Sequence, residues 1–345
     1  MNESVLTIVV PCYNEEEVLP ETINQLLQLL EQLMTEKLVS RQSRLLFVDD
    51  GSKDQTWQLI YKASLQHEAV KGLKLARNVG HQNALLAGMF AAKSVSDCIV
   101  SIDADLQDDI SIIREFVQKF HEGYEIVYGV RKKRDTDTFF KRHTAQGFYK
   151  LMKAMGVNVV YNHADYRLMS RRAVEELERF AEVNLFLRGI VPLLGFRSTI
   201  VYYERKERLA GETKYPLKKM LAFALDGITS FSITPIRFIS LIGFISFFIS
   251  LIFGMYFVFL KLTGNAQTGW TSLIMSIWLL GGLQLIAFGL IGEYIGKIYK
   301  ETKRRPRYIV DIDLLNLSMP VRLNDVSPSA EEYTHVSAER LLESN

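Results

Sequence analysis

The sequence predicts an α/β fold, in which a mostly parallel sheet carries helices on both faces, followed by helices on and in a membrane. Short apolar runs alternate with stretches of helical periodicity between residues 6 and 129. A polar cluster follows each of the first four apolar runs, and two long uncharged segments lie in the second half of the chain. Ligands bind at the carboxyl ends of strands in such sheets, so the polar clusters indicate a single binding edge.

The alternation is regular enough to place each element of the sheet. The predicted elements, in chain order, are strand Leu6–Val10, helix Val18–Met34, strand Leu45–Val48, helix Gln55–Ser64, strand Gly72–Leu75, helix Ala84–Ala92, strand Cys98–Ile102, helix Ile110–Phe120 and strand Glu125–Gly129. Strands separated by helices form βαβ units, so the expected sheet is Rossmann-like.

The acidic turn after the fourth strand is the strongest chemical signal. Asp103 and Asp105 stand one residue apart, so an extended chain would point both carboxylates to the same side. A divalent cation relieves their repulsion, and hard oxygen ligands suit Mg²⁺ or Mn²⁺. Gln107 offers a further oxygen. The alternative is a solvated acidic turn, in which Asp108 or Asp109 caps the next helix.

Composition narrows the function classes. The 345 residues carry a net charge of only +2, which does not favour a nucleic-acid partner. Cys12 and Cys98 each lie in an apolar, strand-like run, so they are expected to be reduced core residues. The G-x-G-x-x-G and G-x-x-x-x-G-K-[ST] patterns are absent, so any phosphates must be held by a metal and by side chains.

Two uncharged segments, Phe238–Leu260 and Trp270–Gly292, have the length of membrane spans. Each has 23 residues, which makes a helix of about 34 Å against a hydrocarbon core of about 30 Å. Two buried helices of a soluble domain are the alternative. The short link Lys261–Gly269 predicts a hairpin whose two ends lie on the same side of the membrane.

The distribution of basic residues orients this hairpin. Lys218, Lys219 and Arg237 precede it, and the link holds only Lys261. Six basic residues follow it, namely Lys297, Lys300, Lys303, Arg304, Arg305 and Arg307. The bias predicts a cell-membrane protein with both termini in the cytoplasm. The segment 216–231 has lysines on one side and apolar residues on the other, which predicts an interfacial helix.

The motifs at the strand ends resemble glycosyltransferase family 2, which has the GT-A fold. They are PCYNEE, VDDGSKD, ARNVGHQNA and DADLQDD, one after each of the first four strands. Later motifs resemble the polyprenyl-phosphate branch, which includes dolichol-phosphate mannose synthases and bacterial GtrB-like enzymes. They are YGVR at 128–131, ADYRLM at 164–169 and ERLAGETKY at 207–215. The resemblance covers about residues 5–310.

The resemblance implies a nucleotide-sugar site at this edge. Its expected members are Pro11, Tyr13, Glu15, Val48, Asp50, Asp103, Ala104, Arg208 and Lys214, with Asp105 and Gln107 as metal ligands. Tyr13 offers a ring that can stack on a base, and Asp50 can accept from a base N–H or a ribose hydroxyl. Glu15 and Glu16 are open to another interpretation, as acids favoured by a helix amino terminus.

The resemblance also implies catalytic roles for Asp165, Arg131 and Asp105. A guanidinium can bind a phosphate through two parallel hydrogen bonds, so Arg131 would hold a phosphate. The alternative is that Arg131 is a surface arginine. Asp165 would lie near the acceptor, as a base or as a positioning group, unless it only pairs with Arg167 or Arg171. Arg208 and Lys214 would close over the diphosphate, or they form a basic patch on anionic lipid.

The expected function is inverting transfer of a sugar, from UDP-glucose or UDP-N-acetylglucosamine, to a polyprenyl phosphate such as undecaprenyl phosphate. Transfer to diacylglycerol and a membrane-anchored scaffold with a degenerate site are the alternatives. The expected organisation is a catalytic domain at 1–215, an interfacial region at 216–236, a hairpin at 237–296 and a basic segment with a disordered tail at 297–345. The resemblance implies a homotetramer.

Overall fold

The computed structural model of the chain describes residues 3–132, 163–182, 185, 187–204, 234–263 and 269–316. Several predictions made above fall outside these residues. They concern Arg208, Lys214, the interfacial helix at 216–231 and the tail beyond Asn316. These predictions, and the proposed domain boundaries, stay predictions.

One sheet contains all the named strands of the described residues. They are β1 Leu6–Cys12, β2 Arg44–Asp49, β3 Val70–Leu75, β4 Cys98–Ser101, β5 Ile126–Arg131, β6 His163–Ser170, β7 Ser198–Tyr203 and β8 Val310–Asp313. The order across the sheet is β7-β5-β6-β4-β1-β2-β3-β8. The five strands predicted from the sequence are β1 to β5, and their predicted ends lie within two residues of the observed ends.

The helices connect these strands and cover both faces of the sheet. They are α1 Leu19–Thr35, α2 Thr56–Gln66, α3 His81–Ala92, α4 Ile113–His121, α5 Arg171–Glu178, α6 Leu187–Leu193, α7 Thr234–Leu262 and α8 Trp270–Thr302. One core cluster holds side chains of α1, α2 and α4, and a second holds side chains of α3, α5 and α6. The predicted α/β class, with helices on both faces, is confirmed.

Side chains of the central strand β1 alternate between the two faces of the sheet, so the strand contributes to both core clusters. In β1, Leu6, Ile8 and Val10 belong to the first cluster, whereas Val9 belongs to the second. Successive side chains of a strand point to opposite faces. Because both faces are covered, every residue of β1 is buried, which is why the strand reads as a continuous apolar run.

Strand direction places most carboxyl ends at one edge. β1 pairs in parallel with β2 and β4, β2 with β3, and β5 with β7. β6 runs antiparallel between β4 and β5, and β8 runs antiparallel beside β3. The sheet is therefore mixed, and β6 begins where its neighbours end. The sequence analysis did not place β6, β7 or β8; β6 and β8 have charged residues among their apolar ones.

Two long helices, α7 and α8, contain the two apolar segments that the sequence singles out. Large apolar side chains on them are exposed, among them Phe238, Phe244, Leu279 and Phe288. Among the described residues, the stretch Leu279–Thr302 is long and apolar enough to cross a membrane, judged by its length and composition. After α8 the chain returns to the sheet, because β8 pairs with β3.

Candidate active site

The loops after β1 and β2 lie side by side at the carboxyl edge. Pro11 pairs in register with Val48, and both are buried. Beyond them, the backbone N–H of Asp50 donates to the carbonyl of Cys12 at 2.9 Å. Tyr13 follows with 41% of its surface exposed. An exposed ring above a rigid, buried strand end is available for stacking on a planar base.

Asp50 fixes the next loop to this pair. One of its carboxylate oxygens accepts from the backbone N–H of Val79 at 2.7 Å, and the other accepts from Gly80 at 2.9 Å. Burial raises the pKa of Asp50, although these two hydrogen bonds oppose the shift. The structure thus gives Asp50 a positioning contact with the start of α3, in addition to the predicted contact with a nucleotide.

Gly51 permits this close approach of loops. It has φ +67°, in the region that favours glycine, and a Cβ at this position would lie 2.7 Å from the backbone of Arg77 and Asn78. Glu15 is anchored nearby, since its backbone N–H donates to Oγ1 of Thr56 at 2.9 Å. The first three strand ends therefore form one packed surface.

The acidic turn after β4 lies beside this surface. Nε2 of His81, the first residue of α3, is 3.4 Å from Oδ1 of Asp103. The carbonyl of Ala104 accepts from Thr22 of α1 at 2.7 Å, which holds the turn from the other face. No role was predicted for His81, although it lies within the motif ARNVGHQNA that follows the third strand.

The backbone between the two predicted metal ligands is strained. Leu106 has φ +52°, a conformation that is costly for a bulky residue, and strained residues of this kind cluster at functional sites. Asp105 accepts from the backbone N–H of Gln107 at 3.2 Å across this turn. No group of three or more His, Cys, Asp and Glu side chains that could hold a metal is found within the described ranges.

The carboxylates of this region influence one another. The side chain of Asp103 is partly exposed, but the surrounding protein displaces water and raises its pKa. His81 opposes this shift, and the charges of Asp108, Asp165 and Asp105 add to it. A concentration of negative charge that resists ionisation is the electrostatic environment that a bound cation would relieve.

Asp108 and Asp109 have different functions in the structure. Asp109 caps the helical turn that precedes α4, since its side chain accepts from the N–H of Ser111 at 3.1 Å. Asp108 is buried, and its Oδ1 accepts from Arg131 at 3.0 Å and from the hydroxyl of Tyr203 at 2.6 Å. The predicted alternative, an aspartate that caps the next helix, is therefore correct for Asp109. Asp108 instead belongs to a charged cluster with Arg131 and Tyr203.

Arg131 is the cation of that cluster. It ends β5, and its Nε donates to Asp108 at 3.2 Å and to the Tyr203 hydroxyl at 3.1 Å. Burial lowers the pKa of Arg131, but the charges and hydrogen bonds of Asp108 and Tyr203 together outweigh this effect, and the net shift is upward. With 28% of its side chain exposed, Arg131 is a permanent positive charge that the fold points in a fixed direction.

Asp165 lies on β6 across from the acidic turn. β4 and β6 pair Ser101 with Arg167, so continuing the antiparallel register brings Asp165 opposite Asp103. Oδ1 of Asp165 accepts from Arg167 at 2.6 Å, and its Oδ2 is 3.6 Å from NH2 of Arg188 on α6. Of the alternatives from the sequence, the ion pair with Arg167 is present.

The other alternative, an ion pair between Asp165 and Arg171, is absent from the described residues. Arg171 instead pairs with Asp97 at 3.1 Å, at the opposite end of β6. Arg188 was not singled out from the sequence. A lone cation within the apolar run LFLRGIVPLLG was the available signal, since a charge among buried neighbours needs a partner.

The α/β sheet and its charged edge are what the motifs predict for the class of glycosyltransferases, and sequence comparison agrees. The model of the family described as glycosyl transferase family 2 matches residues 7–178. An uncharacterized glycosyltransferase, YkoT of Bacillus subtilis (strain 168), is 62% identical over 315 residues, which are 91% of this chain and 94% of that protein. The chain belongs to glycosyl transferase family 2, as its motifs predict.

Two further relatives have names that describe an activity. A prophage bactoprenol glucosyl transferase homolog of Escherichia coli (strain K12) is 40% identical over 310 residues, covering 88% of this chain and 98% of that protein. A bactoprenol glucosyl transferase of Shigella phage SfX is 38% identical with the same coverage. A solved mannosyltransferase of Pyrobaculum calidifontis aligns over 89% of each chain, with a TM-score of 0.43 and 13% identity.

Proposed function

We propose that this enzyme transfers a glucosyl residue from UDP-glucose to a polyprenyl phosphate, with inversion at the anomeric carbon. The observation that carries the proposal is the similarity to a bactoprenol glucosyl transferase along 88% of this chain. The charged edge supports it, because carboxylates and oriented arginines suit a reaction between a nucleoside diphosphate and a phosphate. The product would be a lipid-linked monosaccharide for modification of a cell-envelope glycan.

The reaction forms one bond and breaks another. An acceptor phosphate oxygen bonds to the anomeric carbon while the bond between that carbon and the nucleoside diphosphate breaks. The second pKa of a phosphate monoester is about 6, so the acceptor is mostly dianionic at pH 7 and needs no proton removed. The task of the protein is then to orient two anions and to offset charge on the leaving group.

The acidic turn fits Mg²⁺ or Mn²⁺. Asp105 and Gln107 would hold the ion, and substrate oxygens would complete its shell. The strained Leu106 between them and the mutually repelling carboxylates support this assignment. When bound, the ion would neutralise charge that develops on the departing diphosphate.

The residues of the chain then have separate tasks. Tyr13 would stack on the base, Glu15 would lie beside the ribose, and Asp50 would hold the loop that faces both. Arg131, held by Asp108, would bind a phosphate oxygen. Arg208 and Lys214 would close over the diphosphate from the segment that the structure does not describe.

A transfer assay with the full-length protein in detergent tests this function. Radiolabelled UDP-glucose, UDP-N-acetylglucosamine and GDP-mannose are each incubated with Mn²⁺ and, in separate reactions, with undecaprenyl phosphate or diacylglycerol. We expect label to enter the organic phase from UDP-glucose, and only when the lipid phosphate is present. Transfer from UDP-N-acetylglucosamine alone would show that this nucleotide sugar, and not UDP-glucose, is the donor. Transfer to diacylglycerol alone would replace the acceptor, and nucleotide binding without any transfer would favour a scaffold.

We also propose that α7 and α8 form a membrane hairpin with both termini in the cytoplasm. Their exposed apolar side chains and the excess of basic residues beyond α8 support this topology. A cysteine introduced at Asn265, in the link, should react with an impermeant thiol reagent added to intact cells. The native Cys12 and Cys98 are buried, so the unmodified protein is the control. Labelling only after permeabilisation would show that the link lies in the cytoplasm and that the proposed topology is wrong.

A further inference from the structure

Asp165 lies between two arginines that it holds to different degrees. Its contact with Arg167, at 2.6 Å, is a short charge-assisted hydrogen bond. Its contact with Arg188, at 3.6 Å, is too long for a hydrogen bond. The carboxylate therefore attracts Arg188 without saturating its hydrogen-bond donors.

The two arginines also differ in access to solvent. The side chain of Arg167 is 2% exposed, whereas that of Arg188 is 34% exposed. Nε of Arg188 and NH1 of Arg167 are buried and have no hydrogen-bond partner within the described part of the chain. A buried donor without a partner is rare in native proteins, because it loses water and gains nothing in return.

The charges of this trio do not balance. Counted by themselves, one carboxylate and two guanidinium groups carry one positive charge in excess, and Asp103 of the acidic turn faces them across Asp165. Burial lowers the pKa of Arg167, Asp165 opposes that shift, and the neighbouring charge of Arg188 lowers the pKa further. This repulsion between like charges would be relieved by an anion that contacts the exposed arginine.

The position of Arg188 matches the predicted substrate edge. The backbone N–H of Leu187, the residue before it, donates to Oε1 of Gln82 at 3.3 Å. Gln82 follows His81, which contacts Asp103. The first turn of α6 is thus fixed to the start of α3, beside the acidic turn, and Asp165 faces the same turn from β6.

We infer that Arg188 binds a phosphate group of one of the two substrates, and that Asp165 and Arg167 hold Arg188 in position. The inference rests on the proposed function, in which both the nucleotide sugar and the lipid carry phosphate. A guanidinium offers five donors in a planar fork that matches phosphate geometry. Arg167, being fully buried, is the anchor of Asp165 and does not contact substrate.

Binding measurements on the full-length protein in detergent test this inference without requiring turnover. Calorimetry gives the affinities for UDP with Mn²⁺ and for farnesyl phosphate, with wild-type protein and with Arg188→Gln and Arg188→Lys. Arg188→Gln should weaken binding of one ligand roughly ten- to hundredfold, the worth of a charge-assisted contact. Arg188→Lys should recover part of this loss, since it restores the charge but not the fork.

Arg171→Gln is the matched control. Arg171 is a comparably exposed arginine that pairs with Asp97, but it lies at the opposite end of β6. It should leave both affinities unchanged, and melting temperatures should show that all variants are folded.

Each outcome of the comparison has a definite meaning. Weaker UDP binding assigns Arg188 to the donor, and weaker farnesyl phosphate binding assigns it to the acceptor. Unchanged affinities for both ligands in Arg188→Gln would overturn the inference. Equal weakening in Arg171→Gln would overturn it too. Failure of the proposed function is a separate result, namely no lipid-linked product from wild-type protein with any nucleotide sugar.

Discussion

Two sides of the same edge hold their carboxylates in different ways. On the nucleotide side, formed by the loops after β1, β2 and β3, Asp50 accepts hydrogen bonds from two backbone amides. On the arginine side, formed by Arg131, Arg167 and Arg188 with their partners, Asp108 and Asp165 pair with cations. Amides fix a loop, whereas ion pairs fix the direction of a charge.

This difference fits the two substrates of the proposed reaction. A nucleoside needs a rigid surface with few charges, which packed loops and an exposed tyrosine supply. Two phosphate-bearing groups need cations at separate, fixed positions. Carboxylates that pair with the arginines hold the guanidinium groups at such positions. The acidic turn with Asp103 and Asp105 lies between the two sides, where the bond to the leaving group would break.

The largest expected effect is at that junction. Asp105→Ala should lower activity by at least about a thousandfold, because it removes both a metal ligand and stabilisation of the leaving group. Excess EDTA should do the same to the wild-type enzyme. Asp109→Asn is the control, since asparagine also caps a helix but lacks the charge. Full activity in excess EDTA would show that the reaction does not need a divalent cation.

A smaller effect is expected on the arginine side. Arg131→Ala should raise one substrate KM roughly ten- to hundredfold, since it removes a charge-assisted phosphate contact. It also leaves buried Asp108 without its cation, so the melting temperature must be measured. Lys132→Ala is the control, because Lys132 is the next residue and is well exposed. Equal KM values in both variants would make Arg131 a structural residue.

The smallest effect concerns Asp49, a nucleotide-side carboxylate that neither amides nor arginines fully satisfy. It is completely buried, and its Oδ2 has no hydrogen-bond partner among the described residues. Burial raises the pKa of Asp49, which its hydrogen bonds with Ser52 only partly oppose. The folded state therefore binds this proton more tightly than the unfolded state does, for which the usual pKa is about 3.9.

The stability that Asp49 contributes should accordingly decline as pH rises from about 4 through its raised pKa. Asp49→Asn does not titrate, so its melting temperature relative to wild type should increase over that interval. Thermal melting in detergent at a series of pH values measures the difference. A difference that is independent of pH would mean that Asp49 has no raised pKa in the folded protein.

The sequence predicted the nucleotide side better than the arginine side, for a physical reason. The strands β1 to β4 are short apolar runs, and their motifs follow immediately, so local pattern suffices to place them. Arg131 depends on Asp108, 23 residues away, and on Tyr203, 72 residues away. The pairing of β5 with β7 places Tyr203 beside Arg131, and Asp108 comes from the turn after β4.

The missed strands show the same limit. β6, with sequence HADYRLMS, has a buried arginine at a position that a pattern of apolar residues would leave to solvent. Only its ion pair with Asp165 makes that burial tolerable. The ion pair itself could be predicted from the sequence, because residues two apart on a strand point to the same side. Arg188 is brought to it by the packing of α6.

The pH profile of kcat for wild type and Asp165→Asn, at saturating donor, tests most directly whether the arginine side orients charge or moves a proton. If Asp165 holds Arg167 and Arg188, the variant keeps measurable activity at a temperature where it is folded. Its loss relative to wild type then does not grow as pH falls from 8 to 7. A wild-type acidic limb that follows a single carboxylate, and that disappears in Asp165→Asn, would show instead that Asp165 is a general base.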